Sequence, residues 1–522
     1  MISAVNEWEQ LVAARLLDFF DPNTPWHRSL WNPGLVLTLY EILEASEAFR
    51  MSILSEDALN FAIETAVKLA PLDPGVGDAQ RLKALQATLR PKLRYDGLDF
   101  LAVRHLAHEI QATYLPGWAQ TASDPNTRPK PERVARSIAA HLLDLGFSAD
   151  YLHRWWTYRL IHEQGERPLI DIIGDAHALA LKPPSHYEVL VTFESIPKTK
   201  SGLPRDWLDA PAVSQWLRTR GFETTGVRQR GGLVFEVESR DGRGAADAVA
   251  EIIDNLVARA SIATSGVFRY APRAWVAGEK TARDLRERRR GVLVRALYRE
   301  DAIYSKGTPS QVDAAFELLA PLQTSSPTAA IAGGWAAIEA LLSEPNDRGG
   351  AADRLAALVA CSFPRAELTL LSYVLERADP VFAPRLKGLT KNRDRAAIVA
   401  EAIHAGAPLT LTEWTDKAAL RRMQTLLQRP SDRLHDIQGH AAVAFRRLYR
   451  QRNLVLHGGK TNAVALRACL RTAAPLVGAG MDRIAHGWYV DQMRPLEVAA
   501  RAKVAITTAT PNVPTCCVDL LL

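Results

Sequence analysis

The stretch AFRRLYRQRNLVLHGGKT, residues 444–461, decides how the second half of this chain reads. Leading into it, Leu434, Ile437, Ala441, Phe445 and Leu448 recur at helical spacing. Gly458 and Gly459 then supply a helix stop. Arg452 comes four residues after Leu448 and three before Val455, which puts it on the apolar stripe. A guanidinium there needs a partner, an anion or a dimer interface. With Asn453 and His457 it forms an Arg-Asn-x-x-x-His hexapeptide.

Working outward, helical periodicity recurs at 308–319, 328–342, 351–361, 364–375, 393–405, 416–427, 431–457 and 462–477. Thr308 is the expected N-cap of the first, with Pro309 at its first helical position. Residues 306–522 therefore read as a helical bundle. The section before it, 184–305, changes period. Strand patterns at 186–193, 232–238 and 267–276 alternate with helical ones at 210–220 and 245–262. That order suggests a small α/β domain of ferredoxin-like type. It contains no G-x-G-x-x-G after a strand and no P-loop. Residues 1–183 read as a further helical domain, with helices at 35–54, 64–69 and 80–89 and a polar loop at 121–131. Helices at 132–145 and 149–162 form an expected hairpin, with Trp155 and Trp156 as core or helix-interface residues. The fold class is mainly α, with one small α/β section.

The chain has 522 residues, 47% of them hydrophobic and 23% charged, enough for substantial cores. Its net charge of +6 permits a polyanionic partner without requiring one. Cys361, Cys469, Cys516 and Cys517 form no C-x-x-C pair, which argues against a disulfide scaffold or a zinc ribbon. The start lacks a signal-peptide pattern, and no apolar run reaches spanning length, so a cytoplasmic protein without membrane association is expected. A basic run comprises Lys280, Arg283, Arg286, Arg288, Arg289, Arg290, Arg295 and Arg299. It reads first as a solvated helix face and second as a phosphate contact.

An Arg and a His five residues apart make a weak pattern in a chain with 13 His. Arg136 with His141, Arg429 with His435 and Arg433 with His440 are comparable decoys. They lack the Asn, the Gly-Gly stop and the basic-aromatic approach of Arg446, Arg447, Tyr449 and Arg450. Gly459-Lys460-Thr461 mimics the end of a P-loop, but Leu454 stands where that loop needs glycine, and a helix rather than a strand precedes it. Asp171, Asp175 and His177 read as a helix end or loop rather than a metal site, with no third and fourth ligand in view. No G-x-S-x-G occurs, and no Cys has a nearby His.

The segment RLYRQRNLVLHGG (447–459) resembles the signature of HEPN domains, in particular the ApeA-like branch of bacterial anti-phage defence. GGWAAIEALL (333–342) and DRLAAL (353–358) resemble the first core helices of that branch. The resemblance covers roughly residues 306–490 and does not reach the N-terminal half. It implies metal-independent RNA cleavage, with no cofactor, leaving a 2′,3′-cyclic phosphate and a 5′-OH. His457 would carry the proton-transfer chemistry, Arg452 would hold the scissile phosphate, and Asn453 would orient one of them. Arg446, Tyr449, Arg450 and Lys460 would contact the RNA. Glu339 lies four after Trp335 and three before Leu342, also on an apolar face. Two roles stay open for it: an ion pair with Arg452 that fixes the bundle, or an orienting carboxylate in the site. The family implies a homodimer with two motifs facing one cleft, and a phage-derived trigger or regulatory partner. The other class of function is a non-catalytic dimerisation module binding nucleic acid or protein, with His457 merely interacting with the last helix carbonyls.

Overall fold

A computed structural model describes residues 7–521 apart from 127, 163–166, 225–229, 264–267, 286–289, 346 and 348. The N-terminal section carries α1 (Glu7–Phe20), α2 (Leu35–Arg50), α3 (Glu56–Leu69), α4 (Ala79–Thr88), α5 (Leu98–Ser123), α6 (Pro131–Asp144), α7 (Ala149–Thr157) and α8 (Leu169–Leu181). The middle section runs β1 (Ser185–Ser195), β2 (Leu208–Asp209), α9 (Ala210–Thr219), β3 (Gly231–Ser239), α10 (Gly242–Ala263), β4 (Arg269–Val276) and β5 (Arg283–Asp284). Then come α11 (Ala296–Arg299), α12 (Gln311–Thr324), α13 (Pro327–Leu342), α14 (Gly350–Ala378), α15 (Ala383–Leu386), α16 (Asn392–His404), α17 (Trp414–Gln428), α18 (Pro430–Leu456), α19 (Leu466–Tyr489) and α20 (Pro495–Thr508). The protein is mainly helical with one small antiparallel sheet.

That sheet has the order β2-β3-β1-β4-β5, with β1 central between antiparallel β3 and β4. Alternation along β1 explains its two faces. Val189, Val191 and Phe193 pack toward Val249 and Ile253 of α10, while Leu190 packs with Val213 and Trp216 of α9.

The two helical sections, expected as separate domains at 1–183 and 306–522, share one continuous apolar cluster. Phe20, Trp118 and Trp156 belong to it together with Trp335, Phe445, Leu448 and Met481. Buried ion pairs stitch the same seam. Arg28 reaches Glu367 at 2.7 Å and Asp416 at 2.9 Å, and Arg471 reaches Asp144 at 2.6 Å. Periodicity shows which face of a helix is apolar but not which distant helix covers it, so this seam was not readable from spacing.

Three element boundaries also differ from expectation. α12 starts at Gln311, because Ser310 rather than Thr308 is the cap: Ser310 and Asp313 form a reciprocal capping box. The runs at 351–361 and 364–375 are one 29-residue helix, α14, with Pro364 inside it and buried. Proline normally breaks a helix, but packing on both sides holds this one together. Joined in this way, α14 is the one helix among the described residues long and apolar enough to cross a membrane, contrary to the expectation that no such run exists. Its apolar window is 72% buried inside the fold, as for a core helix. Asp171, Asp175 and His177, expected at a helix end or in a loop, lie within α8 with Asp171 in its first turn.

In the basic run, Arg283 pairs with Glu279 and Asp150, and Arg299 with Asp482. Arg290 donates to the carbonyls of Leu322 and Ser325. Arg286, Arg288 and Arg289 lie outside the described residues.

Candidate functional site

The 27 residues of α18 extend about 40 Å at 1.5 Å per residue. Leu434, Ala441, Phe445, Leu448 and Val455 are buried, as their spacing requires. The motif occupies its last turn. Arg452 Nη1 donates to Asn453 Oδ1 at 2.9 Å and meets His457 Nε2 at 3.1 Å. A guanidinium only donates, so Nε2 must offer its lone pair. The imidazole in this contact is therefore the neutral tautomer with its proton on Nδ1.

Glu339 comes from α13, its Oε2 4.0 Å from Arg452 Nη2, with both side chains 25% exposed. One turn earlier on α13, Trp335 is fully buried and meets the ring of Tyr449 at 5.0 Å, which seats α13 against α18. The four residues Glu339, Arg452, Asn453 and His457 thus come together. Arg452 was expected to face inward, toward a partner, an anion or a dimer interface rather than a dry core, and it is in fact a quarter exposed. It lies at the edge of the bundle, with Asn453 buried beneath it and His457 exposed.

The glycines have distinct jobs. The His457 and Gly458 N–H groups donate to the Asn453 and Leu454 carbonyls at 2.9 and 3.1 Å. Gly459 adopts φ +63° and turns the chain so that the Lys460 N–H folds back to the Leu454 carbonyl. A Cβ at Gly458 would sit 2.7 Å from the Leu454 carbonyl oxygen and 3.1 Å from Ile53.

The expected RNA-contact residues fare differently. Arg450 is only 3% exposed and donates to Glu41 at 3.0 Å, so it is a buried ion-pair member rather than a surface contact. Arg447 donates to the same carboxylate at 2.9 Å and to Asn32 Oδ1 at 3.1 Å. Burial pushes the Glu41 carboxyl up, but the two guanidinia outweigh it and hold it below the usual range. Arg446 pairs with Asp353 and lies over the Phe61 ring at 4.4 Å. Lys460 pairs with Glu47. Tyr449 is half-buried against Trp335.

Spacing along the motif helix missed α2 as a neighbour. Glu41, Glu44 and Glu47 recur every third residue and line up beside the end of α18 and the loop after it. Glu44 accepts the Val464 N–H at 3.3 Å, and burial pushes its carboxyl up to about 7. The signal was present in the sequence: a carboxylate flanked by Tyr40 and Ile42 on an apolar helix is the same kind of misfit as Arg452.

Among the described residues, no group of three or more His, Cys, Asp or Glu is arranged to hold a metal ion. Asp175 is taken up by Arg159 and Arg167. The decoy His141 is buried and stacks on Tyr114 at 4.4 Å. Comparison of the chain with protein-family models, curated proteins and solved structures returned no match.

Proposed function

We propose that this protein is a HEPN-type, metal-independent endoribonuclease of the ApeA-like kind, acting in anti-phage defence or abortive infection. The observation that carries this reading is the contact of Arg452 Nη1 with His457 Nε2 at 3.1 Å, at an exposed helix end with Glu339 4.0 Å behind. Arg452 offers a fixed donor fork to the scissile phosphate. Once the phosphate takes those donors, the Nε2 lone pair of His457 is free to accept the proton of a ribose 2′-OH. The 2′-oxygen then bonds to phosphorus, the bond to the 5′-oxygen breaks, and a proton is delivered to that leaving oxygen. The products are a 2′,3′-cyclic phosphate and a 5′-OH. Arg452 stabilises the charge that builds on the phosphoryl oxygens. Asn453, hydrogen-bonded to Arg452, and Glu339 position it.

One imidazole serves the attacking side of this reaction. A second copy of the chain would bring another His457 to the leaving side, and the exposure of His457 and of Leu456, at 49%, leaves this face open for it. In this reading α13, α14, α18 and α19 are the HEPN-like bundle, the central sheet, which has α9 and α10 on opposite faces and so is not ferredoxin-like as expected, is an accessory, and the N-terminal helices regulate a cytoplasmic nuclease. Full-length protein should cleave single-stranded RNA in EDTA. His457→Ala should lower the rate at least ~100-fold, the lower end for a lost acid–base group, with elution volume unchanged. Equal cleavage by wild type and variant would overturn the assignment.

A second reading, the non-catalytic binding module, draws on the cations beside the motif. Arg446, Arg447, Arg450 and Lys460 each already have a carboxylate partner. RNA or protein binding that survives His457→Ala, with no cleavage by either form, would select it.

A further inference from the structure

The four cysteines take no part in the proposed cleavage, and their surroundings differ. Cys361 of α14 and Cys469 of α19 are buried single thiols. The Cys361 Sγ donates to the Ala502 carbonyl at 3.5 Å, and burial pushes both thiols up to about 12. Neither readily yields the thiolate that oxidants attack.

Cys516 and Cys517 follow α20 in a segment pinned to the fold at several points. Cys517 and Val518 pack in the cluster of Phe363, Leu368 and Met423, and Leu521 packs in the large helical core. Asp519 takes two bonds from Arg393, at 2.9 and 3.0 Å. The backbone turns here as well. The Cys516 N–H donates to the Val513 carbonyl at 3.0 Å, and the Val518 N–H to the Thr515 carbonyl at 2.8 Å. Neighbouring side chains in an extended segment point apart. This turn instead brings the two Sγ atoms to 3.6 Å. Cys516 is partly exposed and Cys517 is fully buried. The two sulfurs share a hydrogen bond, which with burial pushes the Cys517 thiol up. The same bond holds the Cys516 thiol down at about 7 against the opposing effect of its burial. The reachable sulfur is therefore the nucleophile, and the sheltered one keeps its proton.

We propose that Cys516 and Cys517 are an oxidation site, a vicinal dithiol that hydrogen peroxide converts reversibly into a disulfide between neighbours. The Cys516 thiolate attacks one peroxide oxygen, the O–O bond breaks, and hydroxide leaves a sulfenic acid on Cys516. The Cys517 sulfur then bonds to the Cys516 sulfur. The S–O bond breaks, and the hydroxyl departs with the Cys517 proton as water. The two sulfurs give up two electrons, which the peroxide takes. Burial of Cys517 denies it to bulky thiols, so the sulfenic acid closes on its neighbour. Adjacent Cα atoms, about 3.8 Å apart, are closer than the roughly 4.4–6.8 Å of ordinary disulfides, so the ring is strained and readily reduced. The site is independent of the nuclease reading.

The test treats the full chain with hydrogen peroxide and maps it with trypsin before any reduction. Both cysteines fall in the tryptic peptide that begins at Val504, which holds neither Cys361 nor Cys469. That peptide should become lighter by two hydrogen atoms and stop reacting with maleimide, and dithiothreitol should reverse both changes. Cys361 and Cys469 should stay reduced. Cys517→Ser should stop at the sulfenic acid, captured on Cys516 by dimedone, and Cys516→Ser should leave Cys517 unoxidised at the same dose. The wild-type peptide mass decides the matter even where a serine variant fails to fold. An unchanged peptide would overturn the site. So would added oxygen as the main product, or a bridge to Cys361, Cys469 or a second chain.

Discussion

Glu41 is one carboxylate holding two buried arginines, Arg447 and Arg450, and all three are at most 3% exposed. Breaking a buried ion pair from one side leaves uncompensated charge and costs about 3–5 kcal/mol. Glu41→Ala, which strands two guanidinia, should destabilise by at least about that much, read as a lower urea midpoint. An effect near zero would mean the arginines re-solvate. The sequence alone brought Arg452, Asn453, His457 and Glu339 to one place, because a charge on an apolar stripe must find a partner. Arg450 was instead read as a surface residue, and its partner stands in a section expected to fold as a separate domain. Glu41 lies 409 residues away, and helical spacing carries no information at that separation.

The element that most affects the motif is α2, with Glu41, Glu44 and Glu47 along one edge. Glu44 is raised to about 7, chiefly by burial. An unfolded glutamate releases its proton near 4.5. Between these values the folded state holds the extra proton, so its contribution to stability is full below about 4.5 and is lost as pH rises through 7. Glu44→Gln has no such dependence. Its stability relative to wild type should therefore rise between pH 5 and pH 8, measured by denaturation at each pH, and a flat difference would refute the assignment. Legibility of the elements followed their physics. α18 was clear, because 27 residues keep one stripe. The three long strands were clear from their apolar pattern, while the two-residue β2 and β5 are too short to leave one. α5 escaped notice because its apolar residues wrap round the helix, with Pro116 inside. α14 was split at Pro364, since sequence cannot weigh tertiary packing against a missing N–H.

At the scale of the molecule, the N-terminal and C-terminal helices complete one another's core. Residues 306–522 alone would expose the faces that α1 and α3 cover on α17 and α18, and would strand Arg447 and Arg450. That fragment should be insoluble or lack a cooperative melt, whereas a soluble fragment with a sharp transition would show that the seam is dispensable. The seam also sets a clock on synthesis. A ribosome adds about 5–20 residues per second, so the 406 residues between Glu41 and Arg447 take roughly 20–80 s to make. For that interval Glu41, Glu44 and Glu47 of α2 wait for the partners they have on α18 and in the segment after it. The Arg452–His457 pair is made only after that interval, so α2 stands folded against its own section well before the motif it borders exists.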